Sequence, residues 1–234
     1  MIPAREEDPY IAWRPPFPEP EIRAGATALL IVDMQQHSAH RAGATLQKLH
    51  AAGLEDVARG FGERLDLIVP NIRRLQEAFR GAELEVIHVR IASMTPDGRD
   101  RGPSHKKLGH VAAPGSPDAE ILPDLTPVTG ELVFDKTAGS VFCATNIEYV
   151  LRNLGITTLV ITGIVTTGCV HTAVTDAADR GFHVILVEDG CGALVPEMHW
   201  ASIRILRDVY AKILSTSEVV DRVEALGAHA ASAD

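Results

Sequence analysis

The sequence predicts an α/β fold of three layers, α/β/α, in which helices cover both faces of a doubly wound, mainly parallel six-stranded sheet. Three observations predict it. Strand-like and helix-like segments alternate along most of the chain. Several strand segments are apolar without alternation, as strands buried on both faces are. Finally, Asp33, Arg90, Lys136 and the segment 164–169 each lie at or just after the end of an expected strand, so chemistry-bearing residues converge on the carboxyl edge where these sheets bind ligands. With 234 residues, 46% of them hydrophobic, the chain can bury one large core. The expected organisation is an N-terminal arm over 1–26, one domain over 27–227 and a tail over 228–234.

The arm carries Pro3, Pro9, Pro15, Pro16, Pro18 and Pro20 with Tyr10, Trp13 and Phe17 between them, which suits an extended segment. It packs on its own domain or is exchanged between subunits. The first strand is Ala28 to Val32, ending at Asp33. Leu65, Ile68, Val69, Ile72, Leu75 and Phe79 then fall at helical spacing, with Gly81 as a stop. Glu85 to Arg90 is the second strand. A Gly-, Pro- and base-rich stretch follows from Ser93 to Asp118, of a length usually reserved for functional or mobile loops. Leu132 to Phe134 is a short strand, and Thr145 with Glu148 has the capping-box spacing that opens a helix towards Gly155. Thr158 to Gly163 is the clearest buried strand. The next helix carries Ala173, Val174, Ala177 and Ala178, and a strand over His183 to Val187 follows it. A helix over about 197–208, a strand over 211–214 and a helix over about 217–226, introduced by a Ser215/Glu218 capping box, complete the alternation.

The formal charge of −9 disfavours nonspecific attraction to nucleic acid or an anionic membrane. No cationic leader precedes an apolar core, and no stretch reaches the roughly 20 apolar residues that span a bilayer, so a cytoplasmic protein is expected. Cys143, Cys169 and Cys191 form no CxxC pair, which indicates neither a disulfide framework nor a zinc knuckle.

Cys169 follows a strand and the short connector 164–168, at the first turn of a helix. Unpaired amides and positive partial charge at a helix start lower a thiol's pKa, and the same amides can receive an oxyanion. Position alone also fits a buried packing cysteine. Cys143 and Cys191 lack this context and read as packing residues. An Asp ending a strand can merely cap the next segment, and a Lys at a strand end is commonly solvated.

Gly163-Ile164-Val165-Thr166-Thr167-Gly168-Cys169-Val170, followed by Thr172-Ala173 and Ala177 to Phe182, resembles the nucleophile segment of isochorismatase-like cysteine hydrolases. Leu30 to Gln35 resembles the first-strand motif of that family, and Phe134-Asp135-Lys136 with Ser140-Val141-Phe142 resembles its lysine motif. The resemblance runs in order from about residue 27 to 217. It implies Cys169 as nucleophile, Asp33 as proton carrier and Lys136 as the cation holding both. It also implies a cis bond between Ile164 and Val165, with the Val165 and Cys169 amides as oxyanion donors. Gln35, which can orient Asp33, is expected around the substrate with Arg90 and Thr166. The activity it implies is hydrolysis of a small linear amide or an N-carbamoyl or ureido compound, as in carbamoylsarcosine, biuret, ureidoacrylate or maleamate hydrolases, by a cytoplasmic dimer or tetramer. Vinyl ether hydrolysis of the isochorismatase type, and a silent binding scaffold, are the competing readings. Cys169 disfavours the first and the complete triad the second.

The chain departs from the family in two places. Gln36-His37-Ser38 replaces the usual residues after the aspartate motif, so His37 and His40 are expected near the entrance and Ser38 to Gly60 reads as an inserted lid. Arg90 to Met94 stands where nicotinamidase-like relatives carry metal ligands, and His88, His105 and His110 are too scattered to replace them. No metal and no cofactor are expected. Arg90, or a cation of the loop bearing Arg99, Arg101, Lys106 and Lys107, would hold a substrate carboxylate or ureido oxygen, unless that loop is simply solvated. Trp200 is expected at a subunit contact.

Overall fold

The computed structural model of the chain describes residues 4–109 and 111–231. Six strands, β1 (Thr27–Val32), β2 (Glu85–Ile91), β3 (Leu132–Lys136), β4 (Thr158–Ile164), β5 (His183–Gly192) and β6 (Lys212–Leu214), form one sheet. Its order is β3-β2-β1-β4-β5-β6 and every pairing is parallel. The chain winds outward from β1 to β3, returns to place β4 beside β1, and winds outward again. The crevice between the carboxyl ends of β1 and β4 is therefore the switch point at which such sheets bind ligands.

The helices are α1 (Gln36–Ala39), α2 (Ala44–Ala51), α3 (Glu55–Gly81), α4 (Pro103–Leu108), α5 (Val141–Ala144), α6 (Ile147–Asn153), α7 (Cys169–Asp179), α8 (Pro196–Leu206) and α9 (Thr216–Ala231). Successive strand side chains point to opposite faces, and this divides the core in two. Leu29 and Ile31 of β1 pack with Phe61, Leu65, Ile68, Ile72, Leu75 and Phe79 of α3 and with Val219 and Val223 of α9. Ala28, Leu30 and Val32 face the other way, onto Ile147 and Leu151 of α6, Val170, Val174 and Ala177 of α7, and Ile203 and Leu206 of α8. Burying each large apolar side chain contributes about 1.5–3 kcal/mol, so both faces of β1 help hold the strand that carries Asp33.

Several boundaries differ from the sequence reading. The long helix starts at Glu55 rather than near Leu65, because Ala58 and Phe61 continue the buried stripe, and it runs through Pro70. Much of the expected lid is thus helical, made of α2 and the first turns of α3. The 93–118 stretch contains α4, opened by Pro103 after Gly102. At α6 the hydroxyl of Thr145 accepts from the Ile147 amide at 3.1 Å and the helix starts after Asn146. The Ser215/Glu218 box forms, with the Ser215 amide donating to Oε2 of Glu218 at 2.8 Å and the Glu218 amide to the Ser215 hydroxyl at 3.3 Å. β5 runs five residues past Val187 to Gly192, with a register shift against β4 between Ile161 and Gly163. Gly163 has φ +114°, and a Cβ there would lie 2.1 Å from the Val32 carbonyl oxygen, so only glycine lets β4 approach β1 at this level.

The arm lies on its own chain. Asp8 accepts from Arg204 at 2.9 and 2.8 Å and from Arg207 at 3.2 Å, Arg5 pairs with Asp208 at 3.1 Å, and Ile11 is fully buried. Trp200 packs on the second core and stands edge-on to His199, with ring centroids 4.9 Å apart. Among the described residues no helix is long and apolar enough to cross a membrane. Of the expected tail, α9 takes in residues to Ala231, and 232–234 lie outside the described residues.

Candidate active site

Asp33 directly follows the last residue of β1. Its φ of +56° is left-handed, a region disfavoured for residues with a Cβ but tolerated by Asp, and its amide donates to the Val89 carbonyl at 2.8 Å. Lys136 is the last residue of β3, two strands away. That gap is about 10 Å, and the long lysine stem crosses it to bring Nζ within 3.0 Å of Oδ2 of Asp33. The same ammonium donates to Sγ of Cys169 at 3.2 Å and to the Ala138 carbonyl at 3.1 Å. One ammonium thus stands against three groups: a carboxylate, a sulfur and a carbonyl. Lys136 is fully buried and Asp33 is 2% exposed, while Cys169, the first residue of α7, is partly open.

Burial acts against the Lys136 charge, but Asp33 and Cys169 outweigh it and hold the ammonium above the usual lysine range. The thiol is where sequence reasoning needs correction. Burial, reinforced by the Asp33 charge, pushes Cys169 up to about 12 despite the lowering effect of Lys136. A helix start favours a thiolate by only a modest amount, whereas desolvation beside a carboxylate disfavours it strongly. One ammonium compensates one anion, and Asp33 is that anion. The resting sulfur therefore keeps its proton next to a group able to take it.

Asp33 and Cys169 floor a cavity of about 180 Å³, walled by Phe61, Ile91, Leu108, Ile164, Val165 and Leu194, with Ser38, Thr45, His37 and His105 adding polar atoms. The peptide bond between Ile164 and Val165 is cis. Neither the Val165 nor the Cys169 amide donates to a backbone carbonyl among the described residues.

Of the remaining residues singled out in the sequence, His37 lines the cavity, but His40, which follows the last residue of α1, is exposed and is not in the cavity lining. Gln35 is fully buried and committed to backbone. Its amide nitrogen donates to the carbonyls of Ile91 at 2.8 Å and Asp118 at 2.9 Å, and its oxygen accepts from the Ile91 amide at 2.6 Å. It ties the end of β2 to the following loop instead of facing substrate. Arg90 points away from the cavity, because the strand alternates and Ile91 takes the inward position; its guanidinium donates to Asp135 at 2.6 Å. Arg99 pairs with Asp97, Arg101 donates to the carbonyls of Gly98 and His105, and Lys106 and Lys107 are exposed. Cys191 is buried, whereas Cys143, expected to pack, is exposed on α5. His88 is buried, with Nε2 3.4 Å from Oε2 of Glu131, and His110 lies outside the described residues. Among the described residues no group of three His, Cys, Asp or Glu is arranged to hold a metal.

Thr166 is fully buried and does not reach the cavity; it anchors the connector before Cys169. Its amide donates to the Gly192 carbonyl at 2.7 Å, and its hydroxyl lies 2.9 Å from Nδ1 of His199. Nη2 of Arg64 is 3.3 Å from Nε2 of His199. A guanidinium can only donate, so Nε2 accepts and the Nδ1 proton points at Thr166. Burial and the Arg64 charge push His199 down to about 4, which keeps it neutral. Arg64 also donates to the carbonyls of Cys191 at 2.8 Å and Glu188 at 2.7 Å. Sequence reading missed Arg64, His199 and the cavity position of His105. The Gly102-Pro103 helix start could have revealed α4 and with it His105; nothing local marks the other two.

Residues 27–218 match the Isochorismatase domain. An N-carbamoylsarcosine amidase from an Arthrobacter species is 30% identical over 167 residues, 69% of this chain and 63% of that protein, so the match spans less than two thirds of the relative's length. A ureidoacrylate amidohydrolase of Rhizobium rhizogenes is 29% identical over 200 residues, 78% of this chain and 77% of that one. Among solved structures, a cysteine hydrolase from Pseudomonas syringae pv. phaseolicola superposes with a TM-score of 0.78 at 25% identity, covering 92% of this chain and 99% of that chain.

Proposed function

This chain belongs to the isochorismatase family, and we propose that within it the protein is a cysteine-dependent amidohydrolase acting on a C–N bond of a small linear amide or N-carbamoyl compound. The observation that carries the reading is the single ammonium of Lys136 in contact with both Asp33 and Cys169 beneath a largely apolar cavity. The amidase names of the two relatives point the same way.

Cys169 Sγ attacks the carbonyl carbon while Asp33 takes the thiol proton, so sulfur gains nucleophilicity only as the new bond forms. Lys136 balances whichever of the two carries the negative charge. The Val165 and Cys169 amides receive the developing oxyanion. Asp33 passes its proton to the leaving nitrogen, ammonia or an amine departs, and a thioester remains. Asp33 then deprotonates water, which attacks the thioester and releases a carboxylic or carbamic acid together with the thiol. Arg64, His199 and Thr166 act from behind by fixing the connector that presents Val165 and Cys169. We further propose a homo-oligomer, dimer or tetramer, working in the cytoplasm without metal or cofactor.

Incubation with a panel of small amides and ureas, followed by ammonia assay and intact-mass measurement under acid quench, tests this reading. Ammonia release with a transient acyl mass on the Cys169 peptide is the expected result. Undiminished turnover in Cys169→Ala rules the nucleophile out.

A further inference from the structure

Resting on that reading, we infer that the substrate is a compact, uncharged amide with an apolar acyl group, and that His105 makes the polar contact which selects it. The acyl portion lies against Phe61, Ile91, Leu108, Ile164 and Leu194, in a space of about 180 Å³ that is well below the size of a drug-binding cleft.

The argument begins from where the cations are. Among the described residues that line the cavity there is no arginine or lysine. The ammonium beneath it, that of Lys136, is paired with Asp33 and donates to the Ala138 carbonyl and to Cys169. Arg90 is turned outward to Asp135, Arg64 is spent on carbonyls of β5, and Arg101 bonds the Gly98 and His105 carbonyls. Lys48, on the exposed side of α2, donates to the Leu108 carbonyl at 2.6 Å and so ties α2 to α4 across the cavity roof. A substrate carboxylate would enter an apolar space whose described lining holds no cation and has the Asp33 charge as a neighbour, losing its water to repulsion.

His105 is the second observation. It is 7% exposed, and its Nδ1 is buried without a hydrogen-bond partner. Buried polar atoms are almost always satisfied, and one left open on a cavity wall points to a ligand atom. Burial, then the Lys136 charge, lower its pKa, so it meets the ligand as a neutral imidazole able to donate or accept. A neutral imidazole suits a neutral amide better than a carboxylate, which calls for a guanidinium.

The test is kcat/KM at pH 7.5 on the full chain for butyramide and isobutyramide against succinamate and N-carbamoylglycine. Expected is a preference of about a hundredfold for the neutral amides, the order of discrimination met when one substrate strands a buried charge. His105→Leu should then cut kcat/KM for butyramide about tenfold or more, with His105→Gln restoring part of it because a neutral hydrogen-bonding group is returned. Should the leucine variant fail to fold, wild-type inhibition by butanal against succinic semialdehyde reads the same preference through reversible addition of the thiol S–H across the aldehyde. A preference for the carboxylate-bearing amides overturns the inference and leaves the amidase reading standing; its loss in Lys48→Met would assign that carboxylate to Lys48. Equal activity in His105→Leu overturns the role of His105. If no amide is hydrolysed and no acyl mass forms on Cys169, the amidase reading falls and takes this inference with it.

Discussion

The clearest consequence of the site's charge balance concerns Cys169 itself. With the thiol pushed up to about 12, only about three sulfurs in 100,000 are thiolate at pH 7.5. A free cysteine with the ordinary value of about 8.5 is about one tenth ionised at the same pH. The ratio of about 3,000 is offset by the greater nucleophilicity of a more basic sulfur, which over this interval recovers roughly fortyfold. Cys169 should therefore react with iodoacetamide roughly two orders of magnitude more slowly than a free thiol, before any shielding by the cavity. The exposed Cys143 provides an internal standard on the same chain. Peptide mass spectrometry after timed alkylation from pH 6 to 10 measures both. The sign follows from the shift: a thiol whose value is raised stays protonated through this window, so its rate should climb about tenfold per pH unit with no plateau by pH 10. Asp33→Asn removes a charge that raises the thiol's value, so this variant should lose turnover yet alkylate faster at pH 8. Alkylation of Cys169 as fast as Cys143 at pH 6–7, levelling off by pH 8, would mean a resting thiolate–ammonium pair and would refute the reasoning.

Three other outcomes follow from the same contacts. Lys136→Met strands the Asp33 carboxylate in a buried site, and should cost about 3–5 kcal/mol in urea unfolding and 10²–10³ in kcat. His199→Ala removes the group between Arg64 and Thr166; kcat should fall about tenfold with KM nearly unchanged, through small displacement of the connector. His199→Asn should recover part of that loss, and the pH profile above 5.5 should not move, because an imidazole pushed down to about 4 changes no charge there. Gly163→Ala puts a Cβ 2.1 Å from the Val32 oxygen at φ +114°, and strain plus clash should lower stability by about 4 kcal/mol, read by thermal and urea unfolding.

Much of this protein was legible because the relevant signals are local. The all-apolar Leu29 to Val32 and Leu159 to Ile161 could only be strands buried on both faces, and they are the centre of the sheet. Strand ends then told where Asp33, Lys136 and Cys169 would meet, since topology alone sends those ends to one edge. The resemblance in motif order suggested a role for each, which spacing could not. What the local signals could not carry was direction and depth. Arg90 and Ile91 are adjacent in sequence, yet the pleat turns one outward to Asp135 and the other into the cavity. Gln35 looked free to meet substrate and is consumed by the backbone of two distant segments.

The sequence by itself determined the layered parallel sheet and the edge at which Asp33, Lys136 and Cys169 come together, because periodicity and chain order encode them. Only the tertiary structure shows the burial that raises the Cys169 thiol, a cavity lining without lysine or arginine among the described residues, and the placing of His105 within it. Those properties depend on which distant surfaces exclude water from which charges, and desolvation belongs to the assembled fold rather than to any segment of it.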